Sequence, residues 1–138
     1  MISGIFKAYD VRGVFPEEIN EDAVARIGAA LGKHFRGKGG RKKTVVVGRD
    51  ARLSSPALYA ALIKALQTIE GLTLLKSGLI TTPMLYFLVN DEHAEGGVMV
   101  TASHNPKAFN GLKVVGRGAV PIPGTEIKTL LDLDDSKR

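Results

Sequence analysis

Segments with β-strand character alternate with segments of α-helical character along most of this chain, and this alternation restricts the possible folds more than any other feature. Apolar residues recur at three- and four-residue steps in the helical segments, whereas the strand segments are short β-branched or apolar runs. In chain order these are helix 21–35, strand 44–47, helix 55–70, strand 72–75, helix 82–89 and strand 97–101. Strands separated by helices favour a parallel sheet with helices packed on it.

The β candidate at 112–115 differs from the others because no helix separates it from the strand at 97–101. A parallel crossover needs about a dozen residues or more, so we expect this strand to be antiparallel. A β candidate at 120–122 and a short helix at 125–131 follow, and the polar residues after 131 are expected to fray. We therefore predict a single α/β domain over residues 1–138, a three-layer α/β/α sandwich with a mixed, mainly parallel sheet.

Capping residues mark the ends of the predicted helices. Asn20 precedes the first helix, and Gly37 follows it. Ser55 and Thr82 each stand directly before a proline, which suits an N-cap followed by Pro at the first helical position. We expect Asn20, Ser55 and Thr82 to be the N-caps. The segment 6–13 shows neither the helical nor the strand period.

Composition excludes several classes of protein. The chain has no cysteine, which excludes disulfides, cysteine-ligated metals and a cysteine nucleophile, and which fits a cytoplasmic protein. No run of 18 apolar residues is present, so we expect no membrane span. The formal net charge is +5, and the densest basic cluster lies at 36–43 among glycines and without aromatic residues. We interpret this cluster as a solvated turn and expect no nucleic-acid partner, because a small anionic substrate would account for the basic balance equally well.

Polar segments follow the strands at the positions where ligands bind in open α/β sheets. They lie at 48–52, at 77–82 and at 102–106, and the last contains Ser103, His104 and Asn105 in succession. Ser103 admits three interpretations: a side chain that satisfies a turn, the nucleophile of a Ser-His hydrolase, or a carrier of a phosphoryl group. No Gly-x-Ser-x-Gly elbow supports the second, and the residues alone favour the first.

Four segments in register resemble the α-D-phosphohexomutases, the family of phosphoglucomutases and phosphomannomutases. The segment Thr101–Pro106, which we call the serine loop, resembles the active-site serine loop of that family. The segments 6–13, 47–56 and 109–113 resemble its N-terminal substrate loop, its first strand–helix junction and its lysine segment. The similarity runs from Ile5 to about Leu131. It implies the first of four domains, without the Asp-Gly-Asp-x-Asp-Arg metal loop or the sugar- and phosphate-binding loops of the other three.

The resemblance implies a mechanism in which Ser103 carries the transferred phosphoryl group. A phosphorylated Ser103 passes the group to a hexose 1- or 6-phosphate, and the bisphosphate sugar returns its other phosphoryl group, so that phosphate moves between O1 and O6. An Mg²⁺ ion is expected on a phosphate oxygen of Ser103, with its remaining ligands in an absent domain, and a glucose 1,6-bisphosphate-type activator is expected. The expected partners are the hexose phosphate and the other domains, and the isolated domain is expected to be inactive. Oligomeric state is not inferred.

The resemblance also assigns roles to residues outside the serine. Lys113 becomes a catalytic and substrate-binding residue, although a strand lysine whose ammonium reaches solvent is the alternative. His104 either assists at the phosphoryl group or is a turn residue bonded to backbone. Tyr9 and Arg12 become substrate contacts, and for Arg12 the alternative is an ion pair with Asp10.

Arg49, Asp50, Arg52 and Asn105 are expected to support the site rather than to react. Opposite charges stand side by side at a strand end, so we predict an ion-pair network that orients the serine loop. Two other functions agree less well with the sequence. A phosphoglucosamine mutase usually reads Phe-Gly-Thr-Asp-Gly-Ile-Arg-Gly near its N-terminus, unlike residues 6–13 here, and Ser103 together with Lys113 argues against a non-catalytic anion-binding or oligomerisation module.

Overall fold

The computed structural model describes residues 3–137, so Met1, Ile2 and Arg138 of the predicted domain lie outside it. Its strands and α-helices run in this order: β1 Val11–Val14, α1 Glu21–Arg36, β2 Lys43–Arg49, α2 Ser55–Gln67, β3 Leu72–Leu79, α3 Thr82–Asp91, β4 Gly96–Val100, β5 Phe109–Gly116, β6 Pro121–Ile122 and α4 Gly124–Ser136. Short 3₁₀ turns lie at Ser3–Ile5 and Arg117–Ala119. Within this part of the chain no helix is long and apolar enough to cross a membrane.

One mixed sheet contains all of these strands, in the order β1-β5-β4-β2-β3, with β6 also paired to β5. β2 pairs in parallel with β3 and with β4, whereas β5 is antiparallel to β4, β1 and β6. The mixed sheet and the antiparallel strand over 112–115 are therefore confirmed. Since β5 alone runs opposite to the others, the carboxyl ends of β2, β3 and β4 share one edge.

Helices cover both faces of the sheet and give the predicted three-layer α/β/α arrangement. α1 packs against α2 and α4 on one face, while α3 packs on the other. Side chains of β2 alternate between the two clusters, with Val45 and Val47 facing α1 and Val46 facing α3. This alternation explains why β2 reads as a continuous apolar run, because both of its faces are buried.

The ends of the helices confirm one predicted cap and correct two. Asn20 caps α1 through its side-chain oxygen, which accepts from the Ala23 N–H at 2.9 Å. The caps at Ser55 and Thr82 are wrong by one residue, because Ser54 and Thr81 precede the two helices. Thr81 accepts from the Met84 N–H at 3.2 Å. Proline is equally acceptable at the second helical position, where the N–H has no intrahelical partner.

Two further differences arise from contacts between distant parts of the chain. The segment 6–13, which shows no strand period, overlaps β1, whose backbone pairs with residues 109–112 of β5. The last helix extends to Ser136 instead of fraying after 131, and Asp134 on it is buried and pairs with Lys33 of α1. Tertiary pairing therefore stabilises both segments, which the local sequence pattern marks weakly.

Replacing Asn20 with alanine is expected to lower the free energy of unfolding by about 1 kcal/mol, because the Ala23 N–H loses its acceptor. Urea denaturation of the two proteins measures the difference. Gln67→Ala, at an exposed position of α2, is the control and should change stability by less than about 0.5 kcal/mol. Equal stability of Asn20→Ala and the unaltered protein would show that the cap contributes nothing.

Candidate functional site

The serine loop lies where the carboxyl ends of β2 and β4 meet. The Asp50 N–H, directly after β2, donates to the Val100 carbonyl at the end of β4 at 3.0 Å. The Thr101 N–H donates to the Gly111 carbonyl of β5 at 2.9 Å. The loop is thus held between a parallel strand and the strand that returns beside it, at the edge where ligands of open α/β sheets bind.

The backbone of the loop exposes Ser103. Its φ of 55° lies in the left-handed region, which costs a residue with a side chain roughly 1 kcal/mol or more. The Ser103 N–H donates to the Thr101 hydroxyl at 3.0 Å, and the Asn105 N–H donates to the Ala102 carbonyl at 3.1 Å. Within residues 3–137 the Ser103 hydroxyl has no hydrogen-bond partner, so Thr101 satisfies the turn and Ser103 remains exposed.

Arg52 holds this loop by donating to its backbone. Its guanidinium donates to four carbonyl oxygens: those of Ser103 and Asn105 from Nη2 at 2.9 and 2.7 Å, and those of Pro106 and Phe109 from Nη1 at 2.7 and 3.2 Å. The Arg52 Nε faces Asp50 at 3.3 Å. Because a guanidinium is a rigid planar fork, four acceptors at these distances fix the path of the loop.

Arg52 and its four carbonyl contacts form a clamp on the loop. Asp50 joins this clamp to a buried polar network beneath the loop. Its carboxylate accepts from the Arg52 N–H at 3.1 Å and from the Ser55 hydroxyl. Buried Asn110 donates to the Ser55 and Ser54 hydroxyls at 3.0 and 2.7 Å. The sequence interpretation missed Ser55 and Asn110 as supports, although polar residues inside apolar segments are a signal for such a network.

The predicted ion-pair network is only partly formed. Asp50 and Arg52 pair, but Arg49 donates from Nη1 to the Asp50 carbonyl at 3.1 Å and makes no ion pair within residues 3–137. Its backbone lies at the end of β2, where its guanidinium reaches a carbonyl rather than a carboxylate. Including Arg49 in an ion-pair network was therefore wrong.

Arg12 links the N-terminal segment to the serine loop. Its Nε donates to both oxygens of buried Asp10, at 2.8 and 3.0 Å, and its Nη1 donates to the Asn105 side-chain oxygen. The ion pair with Asp10 is thus present, and it aims the guanidinium at the loop. Tyr9 precedes this pair with 76% of its surface exposed, so the segment carries an exposed phenol next to the arginine that reaches the loop.

His104 lies on the serine loop and Lys113 on the adjoining strand β5, and within residues 3–137 neither side chain hydrogen-bonds to Ser103. Lys113 is paired with Met99 on β4 and, by that register, faces the α3 side of the sheet. His104 is exposed on the serine loop. Neither side chain has a hydrogen bond or an ion pair within the part of the chain that the structure describes. The backbone bond that one interpretation of His104 requires is thus absent among residues 3–137.

Tyr86 of α3 is a further ionisable group on that side of the sheet. Burial raises the pKa of Tyr86, and the nearby Asp10 carboxylate raises this pKa further. Both effects favour the neutral form of the phenol.

The described residues do not form a complete metal site. Among residues 3–137 no group of three or more His, Asp or Glu side chains is arranged to hold an ion. Mg²⁺ commonly takes one or two carboxylates together with phosphate oxygens and water. The exposed Ser103 hydroxyl offers a place for a phosphate, but Asp10 and Asp50 are engaged with Arg12 and Arg52, the two arginines that reach the loop.

Fold and site together define a class of protein: an α/β/α domain that presents an exposed serine on an arginine-bound loop at the carboxyl edge of its parallel strands. The family model for phosphoglucomutase/phosphomannomutase, alpha/beta/alpha domain I, matches residues 3–137. The chain belongs to this domain family.

Individual proteins agree with the family match. The chain is 48% identical over 119 residues to a phosphomannomutase from Salmonella typhimurium, covering 86% of this chain and 25% of that protein. It is 41% identical over 127 residues to a phosphoglucomutase from Neisseria gonorrhoeae, covering 92% of this chain and 27% of that protein. A crystal structure of a phosphoglucomutase/phosphomannomutase family protein from Burkholderia thailandensis superimposes with a TM-score of 0.85 at 39% identity, over 99% of this chain and 31% of that one. This chain therefore spans about a quarter of the length of the curated relatives it matches.

Proposed function

We propose that this chain is the serine-bearing domain of a phosphohexomutase and that Ser103 carries the transferred phosphoryl group. The observation that carries the proposal is an exposed serine at positive φ whose loop is fixed by four carbonyl contacts from Arg52. A loop that only connected two strands would not need this support. Phosphoryl transfer depends mainly on positioning and charge stabilisation, and the clamp provides positioning.

In the proposed first step, a hydroxyl oxygen of a hexose phosphate forms a bond to phosphorus as the bond between phosphorus and the Ser103 Oγ breaks. The hydroxyl proton goes to a base, and a proton is taken up at the Ser103 Oγ. Lys113 and His104 are the candidates of this chain for these transfers, since His104 lies on the loop, Lys113 lies on the adjoining strand, and neither has an acid partner within residues 3–137. The second step is the reverse transfer from the other phosphate of the bisphosphate sugar.

Cationic side chains near the loop would offset the negative charge of a phosphorylated Ser103. A phosphoserine carries about −1.5 to −2 charge at neutral pH. Arg12 directs Nη1 at Asn105, two residues along the chain from Ser103, while its Nε is occupied by Asp10. In the proposed enzyme the Arg12 guanidinium would bind a phosphate oxygen through its remaining donors, and exposed Tyr9 would hydrogen-bond the sugar.

The proposed enzyme needs more than this chain. A magnesium ion would bind an oxygen of phosphorylated Ser103 and would offset the charge of the phosphate. Its carboxylate ligands would come from residues outside the described part. The other proposed domains would close the sugar site. A glucose 1,6-bisphosphate-type activator would phosphorylate Ser103, and the chain by itself would not turn over substrate.

The test compares substrates in the longer protein that contains this chain. We expect kcat/KM for glucose 1-phosphate or mannose 1-phosphate to exceed that for glucosamine 1-phosphate by at least about tenfold, because residues 6–13 are unlike those of glucosamine mutases. Residues 1–138 alone are the control and should show no turnover. A preference for glucosamine 1-phosphate would overturn the substrate assignment, and no turnover of any of the three would overturn the mutase assignment.

A further inference from the structure

A basic pocket lies at the end of the sheet opposite to the serine loop. It has a volume of about 400 Å³ and is built from the start of β2, the end of α3 and the 3₁₀ turn after β5. Its cationic side chains are Arg41, Lys42 and Arg117, with His93 and Glu95 beside them; Lys43 also lines it, but the Lys43 ammonium lies near Gly37 at the end of α1. Because β2 crosses the sheet from Lys43 to Arg49, the pocket is about 20 Å from the serine loop.

Most of the positive charge in this pocket is not neutralised. Arg117 pairs with Glu95 at 2.9 Å. Arg41, Lys42 and Lys43 make no ion pair within residues 3–137. Three cationic side chains and one carboxylate leave a net charge of +2 in the pocket, and the end of α3 contributes only about half a negative charge against it. An empty pocket therefore holds like charges close together, and an anion would relieve that repulsion.

We propose that this pocket binds a small anion that carries phosphate groups, independently of the site at Ser103. Its volume is within the range of roughly 300–1,000 Å³ found for small-ligand sites. Arg41, which has no ion pair among the described residues, supplies a planar donor pair that matches phosphate oxygens, and Lys42 supplies a point charge. The pocket has no Phe, Tyr or Trp side chain on which a base could stack, which favours a small anion over single-stranded nucleic acid.

The test is a titration of the 138-residue chain with inorganic pyrophosphate at about 0.1 M salt, where exposed charges farther apart than about 10 Å are screened. Two-dimensional NMR follows each backbone amide. We expect saturable shifts at Glu95 and Gly118 in the pocket. The same shifts should persist in Arg12→Ala, which alters only the serine-loop end of the sheet.

Matched double variants separate the pocket from general surface charge. Arg41→Ala with Lys42→Ala should weaken the pyrophosphate affinity by at least about tenfold. Lys64→Ala with Lys76→Ala removes two exposed cations outside the pocket and should leave the affinity within about twofold. Thermal unfolding checks that both remain folded. The proposal is overturned if the amides of Glu95 and Gly118 show no saturable shift, if the two double variants weaken binding equally, or if only an oligonucleotide binds there.

Discussion

Ser103→Ala is expected to reduce the mutase turnover of the protein containing this chain by at least about 10⁴-fold, because no other oxygen in the loop can carry the phosphoryl group. Thr101, the other hydroxyl of the loop, is buried and accepts a hydrogen bond from the Ser103 N–H. It cannot replace Ser103 without breaking the turn. Initial rates with glucose 1-phosphate and mannose 1-phosphate measure the loss.

The control for this variant is Ser136→Ala, near the end of α4. It makes the same chemical change far from the loop and should leave turnover within about twofold of the original. Both variants should unfold at the temperature of the original protein, because Ser103 and Ser136 are exposed. If Ser103→Ala keeps turnover within tenfold of the original, then Ser103 is not the phosphoryl carrier.

Arg52→Lys is expected to reduce turnover by about 10²-fold, equivalent to about 2.7 kcal/mol of transition-state stabilisation. The lysine keeps the charge but cannot donate to the four carbonyls that the guanidinium reaches together. The serine loop would then sample several positions, so the phosphoryl group would less often be in line with the sugar hydroxyl. Arg52 is thus a positioning residue.

A purely structural role of Arg52 would change stability without a specific kinetic effect. If Arg52 instead positions the serine loop, we expect kcat to fall while KM changes by less than about threefold, because the substrate contacts of Tyr9 and Arg12 remain. NMR spectra should show changed amide shifts at 102–109 but not in α1 or α4. Arg49→Lys, which alters a single bond to the Asp50 carbonyl, is the control. An equal loss of kcat in Arg52→Lys and Arg49→Lys would contradict the proposal that Arg52 positions the serine loop.

The sequence predicted the elements whose signals are local. α1 is an example, because the Asn20 cap, an apolar face at helical spacing and Gly37 all lie within one segment. The order of strands and helices also followed from local patterns. β1 was missed because it has only four residues and is stabilised by hydrogen bonds to β5, nearly one hundred residues away. A period cannot be read from so short a strand.

In the candidate site, too, features with local signals were predictable and features that depend on distant contacts were not. The position of Ser103 after a buried strand was predictable from the apolar run of β4 and the polar residues that follow. The contacts of Arg52 were not, because they depend on β2 and β4 lying side by side, which brings residues some fifty positions apart together. The sequence also could not show that the Thr101 hydroxyl, rather than that of Ser103, satisfies the turn, because either hydroxyl could do so.

The most direct measurement is the location of phosphate after the protein containing this chain has been incubated with glucose 1,6-bisphosphate and Mg²⁺. Intact mass spectrometry should show the addition of one phosphoryl group, and fragmentation of the peptide spanning residues 101–107 should place it on Ser103. The modification should disappear when an excess of a hexose monophosphate, the proposed acceptor, is added. A protein that stays unmodified, or that carries its phosphate on another residue, would contradict the account.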